Sequence, residues 1–346
     1  MMRCPRFRYF SPRTLRDACA MLRDHGPEAS VLAGGTDLVP NMKRRQQTPK
    51  TLVSLRRIES LRALAAGKSE WRLGATRTLA ELASDARLCR DYAALSRAAS
   101  QVATPHIRNM ATLGGNLCLD TRCNYYDQSY EWRKAIDFCM KKDGSICWVA
   151  PGSSRCWAVS STDVAPALLA LGAEVKLEST GGERTLPLGQ LYRDDGIAYL
   201  SRQPGEILSE VLLPVAAAGA RSTYWKLRRR DSFDFPVLSV AAWVHLDADG
   251  FVQAARIVLG SVASTPIESS ASRRLVGRML DEKTIEEAAE EAARLAKPLD
   301  NTDFTLGWRK KAARHLVMGA LKELKGDDPR TLGPIARRAA GLVPAG

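Results

Sequence analysis

The sequence of 346 residues lacks the features that mark several broad classes of protein. No apolar run approaches the length that crosses a bilayer. The first residues, "MMRCPRFRYFSPRTLRD", carry charge but no apolar core of a signal peptide. Patterns of the RRM, helix-turn-helix and zinc-finger types are also absent, which argues against nucleic-acid binding. We therefore predict a cytoplasmic protein that binds neither membrane nor nucleic acid.

The charge of the chain is strongly positive, at +13 formal units. The remaining composition, with 45% hydrophobic and 26% charged residues, is ordinary for a globular protein. Two interpretations of the excess charge stay open. One is a solvated basic surface, and the other is the docking of acidic protein partners, because opposite charges steer encounter.

Two common cofactor signatures are missing as well. The G-x-G-x-x-G fingerprint of dinucleotide-binding folds does not occur. The plant-type iron–sulfur pattern C-x4-C-x2-C is absent. The four histidines are scattered along the chain and form no metal set. Any cofactor site must therefore be built from other residues.

Changes in the pattern of apolar, polar and glycine residues along the chain predict three structural units and a C-terminal tail. Residues 1–58 combine short strands with one helix, and residues 59–217 add further strands and helices. Residues 218–326 change to antiparallel strands, two of which turn at "DADG", followed by helices. Residues 327–346 are rich in Pro, Gly and Arg, and we expect them to be poorly ordered. The predicted fold class is α+β.

Two glycine pairs are the first candidate site. "AGGTDL", residues 33–38, follows a predicted strand, and "TLGGNL", residues 112–117, lies in a predicted strand and loop of the second unit. Glycines let the backbone approach a ligand, and successive backbone N–H groups can hold phosphates. A tight turn is the alternative for each pair alone. Together the two loops could clamp a long ligand with two phosphates.

Four of the eight cysteines are gathered within 34 residues, spaced C-x15-C-x7-C-x8-C. Disulfides are rare in the cytoplasm. A segment of this size does not easily bury a core of its own, so four thiolates around a metal would hold it in place. The spacing lacks C-x2-C pairs and does not choose between zinc, an iron–sulfur cluster and free thiols.

Four motifs, taken in order, resemble a known family. They are "VLAGGTDLVP", "TPHIRNMATLGGNL", "SSTDVAPALLALGAEV" and "YWKLRRRDSFDFPVLSVAA". Together they resemble the FAD-binding subunit of the xanthine oxidase family of molybdenum hydroxylases over residues 6–325. The resemblance implies a two-subdomain FAD-binding domain of the PCMH, or vanillyl-alcohol-oxidase-like, type. Its subdomains would be residues 1–58 and 59–217, followed by a C-terminal domain of antiparallel sheet plus helices over 218–326.

The resemblance also implies which residues bind FAD. Lys226 would lie near the flavin ring, where a cation stabilises reduced anionic flavin, and Asp163 would hold the ribose or adenine side. A solvated strand lysine and a helix cap are the respective alternatives. The pyrophosphate loop would be Ala33, Gly34, Gly35, Thr36, Asp37 and Leu38, with a second contact set of Thr112, Gly115 and Asn116.

The cysteines lie in an insertion, at about residues 119–158, that ordinary members of this family lack. The insertion resembles that of the β subunits of 4-hydroxybenzoyl-CoA reductases. This resemblance implies a 4Fe-4S cluster on Cys123, Cys139, Cys147 and Cys156. Cys118 is the rival fifth ligand, and we expect it instead to be a small buried apolar residue.

The function implied by the resemblance is electron transfer, with no catalytic residue on this chain. The partners would be a molybdopterin-binding subunit and a small subunit with two 2Fe-2S clusters, in an (αβγ)2 heterohexamer. Electrons from ferredoxin would pass through the cluster and FAD toward molybdenum, for reductive dehydroxylation of 4-hydroxybenzoyl-CoA to benzoyl-CoA. The alternatives are the flavin subunit of an oxidising molybdenum hydroxylase and an assembly subunit with a structural zinc loop.

Overall fold

The chain folds around three β-sheets that follow one another along the sequence. The computed structural model describes residues 3–230 and 232–341. No helix within these ranges combines the length and apolar character that a bilayer span needs. The α+β fold class predicted from the sequence is confirmed.

The first unit is a small parallel sheet with the strand order β1-β3-β2. Helix α1 begins after Thr14, whose hydroxyl accepts a hydrogen bond from the Asp17 backbone N–H at 3.1 Å. Its buried face, which includes Ala18 and Leu22, packs on Val53 of the central strand. The elements are β1 (Arg8–Phe10), α1 (Leu15–His25), β2 (Ala29–Leu32), α2 (Leu38–Lys43) and β3 (Thr51–Ser54), with 3-10 turns at Gly26–Glu28 and Glu59–Arg62.

The second unit is a five-stranded antiparallel sheet with the order β4-β5-β8-β6-β7. Helix α9 is apolar all round and fully buried, so it lies at the centre of the largest core. The elements are β4 (Leu64–Ala66), β5 (Glu70–Gly74), α3 (Leu79–Ser84), α4 (Ala86–Asp91), α5 (Ala93–Ser100), α6 (Pro105–Arg108), α7 (Leu113–Leu117), α8 (Tyr130–Ala135), α9 (Val164–Ala170), β6 (Glu174–Ser179), β7 (Gly182–Pro187) and β8 (Ile207–Pro214), with a 3-10 turn at Leu188–Leu191.

The third unit is an antiparallel sheet, ordered β12-β11-β10-β9, covered by helices. The predicted turn at "DADG" joins β10 to β11, and Gly250 supplies its left-handed residue with φ of 86°. The elements are β9 (Ala220–Leu227), β10 (Leu238–Leu246), β11 (Val252–Gly260), β12 (Ile267–Glu268), α10 (Glu282–Leu295), α11 (Leu306–Lys325) and α12 (Pro334–Ala339), with 3-10 turns at Ser270–Arg274 and Pro329–Thr331.

Part of the C-terminal tail is folded, whereas the sequence predicted that the tail would be poorly ordered. Within residues 327–341 the chain forms α12, and Ala339 and Ala340 are buried in the core of the third unit. A proline at the first helical position suits this helix, because the N–H it lacks has no partner there. Residues 342–346 lie outside the described residues. The predicted limits at residues 58 and 217 fall between sheets, and we retain them as proposed domain boundaries.

Candidate cofactor cleft and cysteine cavity

A cleft of about 1100 Å³ opens between the first two units and is bordered by a loop of the third. Its walls include Arg229, Phe233 and Phe235 from the loop between β9 and β10. Ten of the eleven predicted cofactor contacts line this cleft, and the eleventh, Lys226, does not. The ten are Ala33, Gly34, Gly35, Thr36, Asp37, Leu38, Thr112, Gly115, Asn116 and Asp163.

The loop after β2 is shaped by its glycines. A Cβ on Gly34 would overlap the carbonyl oxygen of Met110, so the two glycine loops touch through their backbones. Gly35 has φ of 73°, which side chains rarely adopt. In the described part of the chain, the backbone N–H groups of Gly34, Gly35 and Thr36 have no hydrogen-bond acceptor. Unused donors at the wall of a cleft suit a phosphate.

The second glycine pair lies in helix α7, not in the strand and loop expected from the sequence. Thr112 caps this helix, and its hydroxyl accepts from the Gly115 N–H at 3.1 Å. The side-chain oxygen of Asn116 accepts from the Thr162 hydroxyl at 2.7 Å and from the Val164 N–H at 3.2 Å. Asn116 therefore fixes the start of α9 directly against the glycine loop.

Asp163 and Lys226 form a buried ion pair behind the cleft. The Lys226 ammonium lies 3.0 Å from the Asp163 carboxylate and also donates to the Gln101 carbonyl at 3.0 Å. The Tyr224 hydroxyl donates to the same carboxylate at 2.6 Å. Burial lowers the pKa of Lys226, against the raising effect of Asp163. A solvated lysine is thus excluded, and so is simple capping, since Asp163 makes no side-chain cap bond.

Replacing Asp163 with alanine should weaken FAD binding and leave any iron content unchanged, because Asp163 lines the cleft and not the cysteine cavity. The unpaired Lys226 ammonium should also lower the free energy of unfolding by about 3–5 kcal/mol. Flavin titration and denaturant unfolding measure the two effects.

The double variant Asp163→Ala, Lys226→Met is the control, because it removes both charges. It should recover most of the stability but not the flavin affinity. Recovery of both would reduce Asp163 to a partner of Lys226 and take it out of the FAD site.

Arg122 is a site residue that the sequence analysis missed. Its buried guanidinium pairs with Asp37 of the glycine loop and with Asp127 of the insertion, the latter at 3.2 Å. It also lies 4.7 Å from the Phe235 ring centre. The other carboxylate oxygen of Asp127 accepts from the Cys123 N–H at 3.3 Å. Arg122 therefore links the cleft to the insertion. An arginine beside the first clustered cysteine, in "DTRCN", was the only sequence signal.

The four clustered cysteines line one small second cavity. They are Cys123, Cys139, Cys147 and Cys156, and each is buried. Cys123 lines the large cleft as well, so the two spaces share a wall. Cys118 lines the cleft but not the cavity, and it packs half-buried against the second unit's core. All eight cysteines, which lie in the described ranges, are free.

The cysteine cavity fits a cluster by its donors more than by its volume. Burial raises the pKa of Cys123 to about 12 and that of Cys156 to about 11, so an anionic thiolate there needs a metal. The space between the thiols is about 10 Å³, and the side chains would have to turn outward around a cluster. No group of three or more metal-binding side chains, among the residues described, converges on a single ion.

The backbone around Cys139 is held in an uncommon conformation. Asp137, Phe138 and Asp143 have φ of 60°, 59° and 71°, in the left-handed region that non-glycine residues rarely adopt. Such residues persist only where the surroundings fix them, and they cluster at functional sites. At the base of the insertion, Arg122 and Val159 exchange two backbone hydrogen bonds of 2.8 and 2.7 Å. The loop is thus a defined structure.

Two family models together match most of the chain. The model described as the FAD binding domain in molybdopterin dehydrogenase matches residues 5–216. The model described as the CO dehydrogenase flavoprotein C-terminal domain matches residues 222–324. The first match alone covers well over half of the chain.

Individual proteins show the same similarity. The chain is 33% identical over 255 residues to the aldehyde oxidoreductase FAD-binding subunit PaoB of Escherichia coli, covering 69% of this chain and 76% of that protein. It is 27% identical over 319 residues to the carbon monoxide dehydrogenase medium chain of Hydrogenophaga pseudoflava, covering 92% and 96%. Carbon monoxide dehydrogenase from Oligotropha carboxidovorans matches in structure with a TM-score of 0.78 at 26% identity, over 94% of this chain and 100% of that one.

Proposed function

The chain belongs to the family that carries the FAD-binding domain of molybdopterin dehydrogenases, and from this premise we propose that it is an electron-transfer subunit with two redox groups. It is a flavin subunit of the molybdenum hydroxylase family, and its FAD transfers electrons. The second group, proposed here, is a 4Fe-4S cluster in the insertion. Neither group requires a catalytic residue on this chain.

The single observation that carries the FAD site is the cleft between the two glycine loops. The free N–H groups of Gly34, Gly35 and Thr36 would bind the pyrophosphate, and Phe233 and Phe235 would cover the opening against water. FAD, when bound, supplies a carrier that accepts or donates one or two electrons. The positions of these residues at one cleft support the proposed contacts.

The proposed cluster rests on four buried thiols that line one cavity next to this cleft. A cluster of this kind is held by four cysteines in a shielded site, and the insertion offers four buried cysteines at one cavity. A redox cluster beside a flavin would extend an electron path, whereas zinc would only brace the loop. We therefore prefer the cluster to the structural zinc loop.

The proposed partners follow from what the chain does not carry. Its motifs include neither a plant-type cluster pattern nor a molybdopterin motif, so a molybdopterin-binding subunit and a small subunit with two 2Fe-2S clusters would supply these groups. The name "medium chain" of the Hydrogenophaga pseudoflava relative fits a protein of several subunits. The net charge of +13 would favour an acidic ferredoxin as electron donor.

Two directions of electron flow have support. The cysteine cavity beside the cleft would give a second port for electrons, and the resemblance of the insertion to that of 4-hydroxybenzoyl-CoA reductases favours reduction of 4-hydroxybenzoyl-CoA. That reaction consumes two electrons and two protons, and it releases benzoyl-CoA and water. The similarity to subunits of an aldehyde oxidoreductase and of a carbon monoxide dehydrogenase favours an oxidising enzyme instead. We propose the reductive direction and keep the oxidative one as the second candidate.

The test is an assay of the complex purified without oxygen through a tag on this chain. With 4-hydroxybenzoyl-CoA and a low-potential reductant, the proposal predicts that the complex forms benzoyl-CoA. It also predicts that mass spectrometry of the complex detects two further kinds of chain. Oxidation of aldehydes, carbon monoxide or purines with a dye acceptor, and no benzoyl-CoA, would assign the oxidising function. A chain that purifies alone and without flavin would contradict both.

A further inference from the structure

A buried ion pair lies between the cleft and the cysteine cavity. The Lys141 ammonium donates to the Asp120 carboxylate at 2.8 Å, to the Thr121 hydroxyl at 2.7 Å and to the Gly196 carbonyl at 2.6 Å. Both side chains are about 5% exposed. All three donors of the ammonium are thus satisfied, and its position is fixed.

The two members of the pair face different spaces. Lys141 lines the cysteine cavity, and Asp120 lines the large cleft but not the cysteine cavity. The far oxygen of Asp120 accepts from the Tyr126 hydroxyl and from the Gln47 amide, both at 3.1 Å. The cation of the pair therefore belongs to a residue of the cavity wall, and the anion belongs to a residue of the cleft wall.

We propose that this buried pair sets the reduction potential of the group held by the four cysteines, with Lys141 raising the potential and Asp120 lowering it. This inference rests on the proposed cluster. Reduction adds one negative charge to a cluster, and a fixed cation at the cavity wall stabilises the reduced form. The effect is strong because few water molecules screen charges in a buried site.

A purely structural role for Lys141 is the competing explanation, since its three hydrogen bonds also brace the insertion. The two roles differ in the sign of the effect. If the pair only braces the loop, removing either member loosens the same structure, and both changes move the potential in the same direction. If the charges act directly, removing the cation and removing the anion move the potential in opposite directions.

The experiment uses the complex purified without oxygen, with the wild-type chain and the variants Lys141→Met, Asp120→Asn and Lys141→Arg. Redox titration followed by electron paramagnetic resonance gives the midpoint potential of the insertion cluster, and iron and flavin are counted in each sample. We expect a more negative potential in Lys141→Met and a more positive one in Asp120→Asn. Lys141→Arg, which keeps the charge, should stay near the wild-type value.

Shifts of the same sign in the two single variants, or no shift in either with the iron retained, would overturn the inference. If Lys141→Met loses its iron, Asp120→Asn and the double variant decide. Asp120→Asn must still raise the potential, and the double variant Asp120→Asn, Lys141→Met must have a more negative potential than Asp120→Asn. A wild-type chain without iron in the insertion would overturn the proposed cluster instead, so the two failures are distinguishable.

Discussion

Cys139→Ala should remove the iron of the insertion while the flavin domain still folds and binds FAD. Cys139 is buried at the cysteine cavity, and we expect that the three remaining thiols would not retain the proposed cluster. The flavin domain does not depend on the cavity, because Asn116 binds Thr162 and Val164 directly across the base of the insertion. Iron analysis, flavin analysis and electron paramagnetic resonance of the reduced complex measure the result.

Two electron-transfer activities should respond differently to the same substitution. Turnover driven by ferredoxin should collapse, whereas an artificial dye that reaches the flavin should still exchange electrons with the complex. Cys118→Ala is the matched control, because Cys118 lies at the cleft and not at the cavity, and it should keep all its iron. Loss of iron in Cys118→Ala would show that the proposed set of four cysteine ligands is wrong. If ferredoxin still drove turnover in a variant without the cluster, the insertion would have a structural role and no role in electron transfer.

Gly34→Ala should abolish FAD binding. The added Cβ would overlap the carbonyl oxygen of Met110, so the first glycine loop must move away from the second. Both loops line the cleft, and a cofactor held between them would lose its contacts. Gly35→Val should give the same loss for another reason, because a β-branched residue does not suit φ of 73°. The ratio of flavin to protein after purification measures the effect.

The control for this change is Gly307→Ala. A Cβ at Gly307 meets no atom within 4 Å, so the substitution adds the same methyl group in open space. It should keep full flavin content. Full flavin occupancy in Gly34→Ala, with the fold intact by circular dichroism, would remove the glycine loop from the cofactor site.

The features that can be read from the sequence alone are local or carried by motifs. The glycine pair at residues 34–35 and the cluster of cysteines can be recognised directly in the sequence. In the structure each set lines a cavity. The turn at "DADG" is likewise local. Short-range patterns of this kind depend on the conformational range of the backbone, which the residue type itself determines.

The features that the sequence did not predict depend on distant partners. Lys226 was expected near the flavin ring, and only the structure shows it as a buried ion opposite Asp163. Lys141 and Arg122 gain their significance from Asp120 and Asp37, which lie 21 and 85 residues away. Helix α7 replaces the expected strand because Thr112 caps it, although glycines disfavour helices. Tertiary contacts decide each of these cases.

The most direct test of the two-cofactor account is the flavin and iron content of the anaerobically purified complex, compared between the wild-type chain and Cys139→Ala. The account predicts equal FAD in both. It predicts about four fewer iron atoms per chain in the variant. The iron–sulfur absorption band at roughly 400 nm should be weaker as well. Equal iron in the two samples, or a wild-type chain without FAD, would contradict it.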